Sequence, residues 1–308
     1  MSLVSVIIPI YNAAQFLAKS LDSVLKQSFG KIEVIAIDDG STDGSASVLA
    51  GFAACDNRVK VISQANAGIV EALEAGRAVA RGEFIARMDA DDCALPERFS
   101  RQLEAMRSDL NLVALGSSVT FMDVAGNAVE ICERPTNPLA VRSALLAGDG
   151  GVLIHPAVMF RAGAVAAVGG YRRSAQYVED LDLFLRLDAI GLLRNLPERL
   201  LNYRVHPQSI NFTKNEGREK VRLSVMREAY AVRGLHFDPA RFSHNASGFA
   251  DLRRLHRKWA VTALACGPRK VAVGHGFRAV RLAPCDRAAW RALRYALTAP
   301  RPIPASSS

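Results

Sequence analysis

Residues 83–95 read EFIARMDADDCAL. "EFIARM" is a short apolar run of the kind that forms a buried strand, and Asp89, Asp91 and Asp92 stand directly behind it. Neighbouring carboxylates repel one another and each is costly to desolvate, so this strand end calls for a counter-charge. A hard divalent cation is the simplest one. The D-x-D spacing lets Asp89 and Asp91 flank one point, where water and a diphosphate could complete an octahedron. Acidic triplets also occur in solvated loops and at helix starts, and Asp92 is expected to cap a helix beginning near Pro96. What decides between these readings is the chain on either side.

Upstream, "VSVIIPI" (4–10), "IEVIAID" (32–38) and "VKVIS" (59–63) are β-branched apolar runs. Helical patterns separate them, "AAQFLAKSLDSVLKQSF" (13–29) and "IVEALEAGRAVA" (69–80) being the clearest. Apolar strands alternating with helices predict an α/β fold with a mostly parallel, Rossmann-like sheet flanked by helices. Ligands bind such sheets beyond the carboxyl ends of the strands. There stand "PIYN", "DDGSTD", "NAG" and "DADD", four pieces that can converge on one crevice. Neither GxGxxG nor GxxxxGK[ST] occurs, so a pyrophosphate would have to be met by metal and basic side chains.

Further on, "LVALGSSVTFMD" (112–123) and "AGN" (125–127) predict a strand and a hairpin-like turn, and "HPAVMFR" (155–161) another strand. "YVEDLDLFLRLDAIG" (177–191) reads as a helix burying Leu181, Phe184, Leu185 and Ile190. "LRNLPERLLNYRVHPQSIN" (193–211) is a strand entering a polar loop. "NEGREKVRLSVMREAYAVRGL" (215–235) is a helix ended by Gly234, and "PRPIPASSS" (300–308) is expected to be disordered. The expected organisation is two halves of one domain, 1–110 and 111–238, and a basic helical extension over 239–308.

Half of the 308 residues are hydrophobic and 22% are charged, the profile of a chain with a sizeable core. The net charge of +9 is unevenly placed: residues 240–308 hold 13 Lys and Arg against 2 Asp and Glu, and the preceding part is nearly neutral. "MSLVSVIIPIYN" reads as a strand rather than a leader, and the apolar runs fall short of the ~18 residues a membrane span needs. Five scattered cysteines without CxxC spacing suit a reducing cytoplasm.

Taken as an ordered set, "VSVIIPIYN", "DDGSTDGS", "NAG" before a helix, "MDADD", "HPAVMFR", "VGGYR", "VEDLDLFLRL" and "LLNYRVH" resemble the inverting family 2 glycosyltransferases, which have the GT-A fold. The resemblance runs from residue 3 to about 212. It implies a nucleotide-diphospho-sugar donor, UDP-linked by default, a divalent cation (manganese or magnesium), and transfer to a glycan or lipid-linked acceptor. Pro9, Tyr11 and Asp39 would hold the base and Asp89 the ribose. Asp91 would be the direct metal ligand, with Asp89 beside it. Asn12, Asn66, Gly68 and Ala90 belong to the same donor motifs. "NAGIVEALEAG" lacks the Arg-Asn pair often found after that glycine.

Displacement with inversion needs one general base for the acceptor hydroxyl. The resemblance places it in the "ED" motif: Asp180 as base, Glu179 orienting it or the acceptor, and Asp182 structural. Arg204 and His206 follow a strand expected to return to the crevice and are candidates for the diphosphate and the metal. His155 either lines the acceptor pocket or is packed and hydrogen-bonded.

The tail patterns "DLRRLHRKWAVTALA" (251–265) and "DRAAWRALRYALTA" (286–299) mix arginines with bulky residues. Leu252, Leu255 and Trp259 share a face beside Arg253, Arg254, Arg257 and Lys258, which suits an anionic membrane surface or packing on the body. No nucleic-acid motif accompanies the charge. A nucleotidyltransferase would need a Gly-rich basic loop where "PIYNAAQF" stands, and a pure nucleotide-binding protein would need no base.

Overall fold

The computed structural model describes residues 2–207, 217–242 and 251–300. The expected disordered end therefore lies, from residue 301, outside the described residues, as does the polar loop from 208. In chain order the elements are β1 (Val4–Ile10), α1 (Ala14–Leu25), β2 (Ile32–Asp39), α2 (Ser45–Cys55), β3 (Val59–Gln64), α3 (Ile69–Val79), β4 (Phe84–Arg87), β5 (Cys93–Ala94), α4 (Arg98–Ser108), β6 (Leu112–Met122), β7 (Ala128–Cys132), α5 (Pro138–Leu146), β8 (Met159–Arg161), α6 (Ala162–Ala167), α7 (Glu179–Asp188), β9 (Leu192–Arg204), α8 (Arg218–Val232), α9 (Leu252–Cys266), α10 (Arg269–Leu282) and α11 (Arg287–Thr298). They fall into two compact units, the second being 120–132, 202–215 and 245–308.

In the first unit β1 pairs in parallel with β2 and β4, and β2 with β3. The sheet order is β3-β2-β1-β4-β8-β6-β9-β5, and β8 runs antiparallel to both β4 and β6. Every residue of β1 and β2 is buried, as a strand covered on both faces requires. α3 lies so close to that sheet that a Cβ on Gly76 would come within 2.6 Å of Ile7 Cγ2. "HPAVMFR" departs from the single strand expected. Pro156 sits in a short 3-10 turn over His155–Ala157, and only Met159–Arg161 pair. Ile190 is 52% exposed rather than buried, because α7 ends at Asp188, before the turn that would have carried it inward.

One buried acid fastens β2. Glu33 accepts from Ser5 Oγ at 2.7 Å, Lys60 Nζ at 2.8 Å and the Arg81 amide at 2.8 Å. Burial raises its pKa, but these donors together outweigh that and bring it from 4.5 down to about 2. A depressed acid stabilises the fold above its unfolded pKa and loses that stabilisation as pH falls through the folded value. Glu33→Gln is therefore expected to cost about 3 kcal/mol at neutral pH, the gap to wild type closing between pH 4.5 and 2. Urea unfolding at stepped pH measures it; a gap independent of pH would refute the assignment.

In the second unit, Asp123 and Asn127 close the turn between β6 and β7, the Asp123 amide donating to the Asn127 carbonyl at 2.9 Å. α9, α10 and α11 pack on one another, and α9 packs on β7. Trp259 is 3% exposed, its ring centroid 5.0 Å from that of His275. The face of α9 that carries Leu255 and Trp259 is thus interior to this unit rather than a surface for lipid.

Candidate active site

The loops after β1, β2 and β3 are stitched together by their own polar residues. Asn12, at φ 51°, accepts from the Thr42 amide at 2.7 Å, and its own amide donates to Ser41 Oγ at 3.0 Å. Asp38 accepts from the Ser41 amide at 3.0 Å. Asp39 reaches the next loop: its Oδ1 accepts from Gln64 Nε2 and the Ala67 amide at 2.7 and 2.9 Å, and Oδ2 from the Gly68 amide at 2.9 Å. Asn66 passes so near Gly40, whose φ is 74°, that a Cβ there would stand 2.7 Å from the Asn66 nitrogen. Only glycine allows both that backbone and that approach. Pro9 lies within β1, and Tyr11 beside it is 54% exposed.

After β4 the backbone turns, the Asp92 amide donating to the Asp89 carbonyl at 3.3 Å. Carboxylate oxygens of Asp89, Asp91 and Asp92 lie within 4.8 Å of one another. Ala90 between them is buried. Asp92 is fully buried and is not the cap of α4, which starts at Arg98 after Glu97, whose side chain makes no capping bond. The chain itself supplies part of the counter-charge. Arg87 Nη2 is 2.6 Å from Asp89 Oδ1. Burial disfavours the Arg87 charge, but Asp89, Tyr171 and Asp92 outweigh that and hold its pKa above the ordinary value. Arg98, wholly buried, donates to the Arg87 carbonyl at 2.8 Å. Burial pushes its pKa down to about 9 against the pull of Asp92. Against three carboxylates there are two guanidiniums.

The "ED" pair opens α7, where the helix dipole favours negative charge. Both residues are half-buried, and desolvation raises both pKa values, Glu179 to about 7 with Asp180 contributing next. Asp180 Oδ1 accepts from the Leu181 amide at 2.7 Å. Glu179 Oε2 and Arg87 Nε are buried with no hydrogen-bond partner among the described residues. Asp182 is 1% exposed, clamped between Arg172 and Arg186, the latter at 2.6 Å. That fits its expected structural place.

Arg87 is the residue these groups share. Its charge acts on Glu179 and Asp180, on Tyr171, and on His155, which burial followed by Arg87 drives well below its ordinary pKa. His155 is 7% exposed, with Nε2 2.8 Å from the Tyr171 hydroxyl and its ring among Phe160, Tyr171 and Phe184. Of the two alternatives, it is packed and hydrogen-bonded. Glu74 accepts the Tyr171 amide at 2.7 Å, and a Cβ on Gly170 (φ 69°) would meet Glu74 Oε1 at 2.4 Å. Arg204 and His206 belong to the second unit. There Arg204 Nη1 donates to the carbonyls of Asp123 and Val124 at 3.1 and 2.9 Å, and a guanidinium so held bears on the hairpin. Sequence reasoning missed Arg87, Arg98 and Tyr171. The arginines were signalled only by flanking an acidic run, and Tyr171 by its place in "VGGYR".

A mostly parallel sheet with acidic clusters beyond its strand ends is the architecture of the GT-A glycosyltransferases. S. aureus TarS 1-349, solved in complex with UDP-GlcNAc, superposes with a TM-score of 0.62 at 14% identity, over 96% of this chain and 90% of that one. The mannosyltransferase PcManGT from Pyrobaculum calidifontis, in complex with GDP-Man and Mn²⁺, superposes with 0.54 at 16% identity, over 97% and 81%. These likenesses show the fold. The family model "Glycosyl transferase family 2" matches residues 5–169, more than half of the chain. The chondroitin synthase of Escherichia coli is 28% identical over 233 residues, which are 76% of this chain but only 33% of the synthase. The chain belongs to glycosyl transferase family 2 and is a glycosyltransferase.

Proposed function

We propose that the protein transfers a sugar, with inversion, from a nucleotide-diphospho-sugar to a hydroxyl of a glycan or lipid-linked acceptor, with Asp180 as general base. The observation that carries this is the placement of two carboxylate groups, Asp89-Asp91-Asp92 after β4 and Glu179-Asp180 at the start of α7, around the buried cation Arg87. One group suits a diphosphate and its counter-ion, and the other a proton.

The chemistry follows from burial. An aspartate with a raised pKa is a stronger base than an exposed one. A carboxylate oxygen of Asp180 takes the proton of the acceptor hydroxyl as the acceptor's oxygen attacks the anomeric carbon, and the nucleoside diphosphate departs. Glu179, beside it and with its own pKa raised by burial, orients the base or the acceptor. Clustered carboxylate oxygens suit a hard divalent ion. Asp91 and Asp89 would hold manganese or magnesium, which when bound neutralises charge growing on the leaving diphosphate. Pro9, Tyr11 and Asp39 would seat the base, with Asn12, Asn66 and Gly68 shaping that seat, and Asp89 and Ala90 would meet the ribose. Support for the donor class comes from the UDP-GlcNAc and GDP-Man complexes of the structural neighbours, and for a polysaccharide acceptor from the chondroitin synthase likeness. UDP is the first donor to test.

Calorimetric titration of UDP, GDP, dTDP and CDP, each with and without Mn²⁺, tests this reading. One nucleotide is expected to bind in a metal-dependent way. Failure of all four, with or without metal, would overturn it.

A further inference from the structure

The last helix among the described residues, α11, carries a surface to which the proposed reaction assigns no role. α11 turns Ala289, Ala292, Leu293 and Ala296 inward. Its outward face, read at 100° per residue, has Arg287, Arg291 and Arg294 along the centre. Trp290 and Leu297, 53% and 51% exposed, line one flank, and Tyr295, 47% exposed, lines the other. Among the described residues none of these three arginines has an ion pair or a side-chain hydrogen bond, whereas Arg257 on α9 pairs with Asp286 and Lys258 with Glu130. On α10, Phe277 is 57% exposed between Lys270 and Arg281.

Each possible cover for this face makes a different demand. A second copy would set one arginine stripe against another. A partner of core-like apolar character would bury three guanidiniums without counter-charge, which is strongly unfavourable. An anionic lipid surface meets both halves of the pattern: phosphates take the guanidiniums, and indole, phenol and leucine settle at the boundary between headgroups and acyl chains. No helix among the described residues is long and apolar enough to cross a membrane, so the helix would lie along the surface.

We propose that the α11 face formed by Arg287, Arg291 and Arg294 between Trp290, Leu297 and Tyr295 docks the protein on a bilayer rich in anionic headgroups. The face expected from sequence around Trp259 is interior, and the docking element is the helix that carries the other tryptophan. This proposal stands apart from the catalytic reading, since its test measures no transfer.

The chain's two tryptophans make that test direct. Trp259 is buried and gives a constant background, so a change in emission on adding vesicles reports Trp290. The full-length protein is titrated with vesicles of phosphatidylcholine alone and with about one third phosphatidylglycerol. The expected result is a blue shift, shielding from acrylamide and co-sedimentation with the anionic vesicles only, weakening as salt is raised. R287E/R291E/R294E is expected to lower affinity on the order of a hundredfold, while R287K/R291K/R294K keeps it. Trp290→Ala should remove the spectral change. The proposal is overturned if anionic vesicles fail to bind, if charge reversal leaves binding intact in a variant with the wild-type circular dichroism spectrum, or if the lysine variant loses it. Binding to duplex DNA or RNA without binding to anionic vesicles would also overturn it and reassign the face to nucleic acid.

Discussion

Asp180→Asn is expected to lower the rate of sugar transfer by on the order of 10²–10⁴, the range a positioned general base supplies, while nucleotide affinity stays within a few-fold of wild type. The same change should leave the melting temperature unchanged or raise it. The sign follows from burial: an acid whose folded pKa is raised binds its proton more tightly in the folded state, so its charge at neutral pH opposes folding. Asparagine keeps the shape without that charge. In wild type the raised value should also place the acid limb of the kcat profile above the ordinary aspartate range, activity falling as the base is protonated. Differential scanning calorimetry beside a pH–rate profile distinguishes a base from a folding residue. A variant that loses activity together with ten degrees of stability would count against the assignment.

Asp91→Ala should act on the other half of the site. The metal-dependent part of nucleotide binding is expected to fall on the order of a hundredfold, with metal-free binding little changed. Asp89 is paired with Arg87, so its removal would also leave a buried guanidinium without its partner and cost stability. Asp91→Ala is therefore the cleaner probe of the cation. Equal binding by wild type and Asp91→Ala in the presence of Mn²⁺ would remove Asp91 from the metal site. Titrations in Mn²⁺, Mg²⁺ and chelator give all three comparisons.

Much of the sheet was legible because strands covered on both faces must read as unbroken apolar runs, as "VSVIIPI" and "IEVIAID" do. The motifs at their ends were legible because each had to leave a strand at a defined place. What failed depended on partners distant in sequence or on small offsets. Asp92 was expected as a cap because Pro96 follows it, but the helix opens beyond Pro96 and the side chain points into a buried cluster. Ile190 fits the helical period of α7 and lies one turn too late to be covered. Arg87 reads as an ordinary basic residue, since nothing local shows that Glu179 and Asp180 will lie near it. Trp259 and Trp290 occupy similar basic, amphipathic patterns, and only packing makes one core and the other surface.

Asp39 bears on how such a site can change its nucleotide over evolution. Its carboxylate already holds Gln64 and the amides of Ala67 and Gly68. Under the proposed seating of the base, a substitution there to suit another base would also release the Ala67–Gly68 loop, so specificity and loop order would be inherited together. Tyr11, more than half exposed, is not held in that way. Diversification of donor preference in descendants of this chain should therefore accumulate at Tyr11 and leave Asp39 in place.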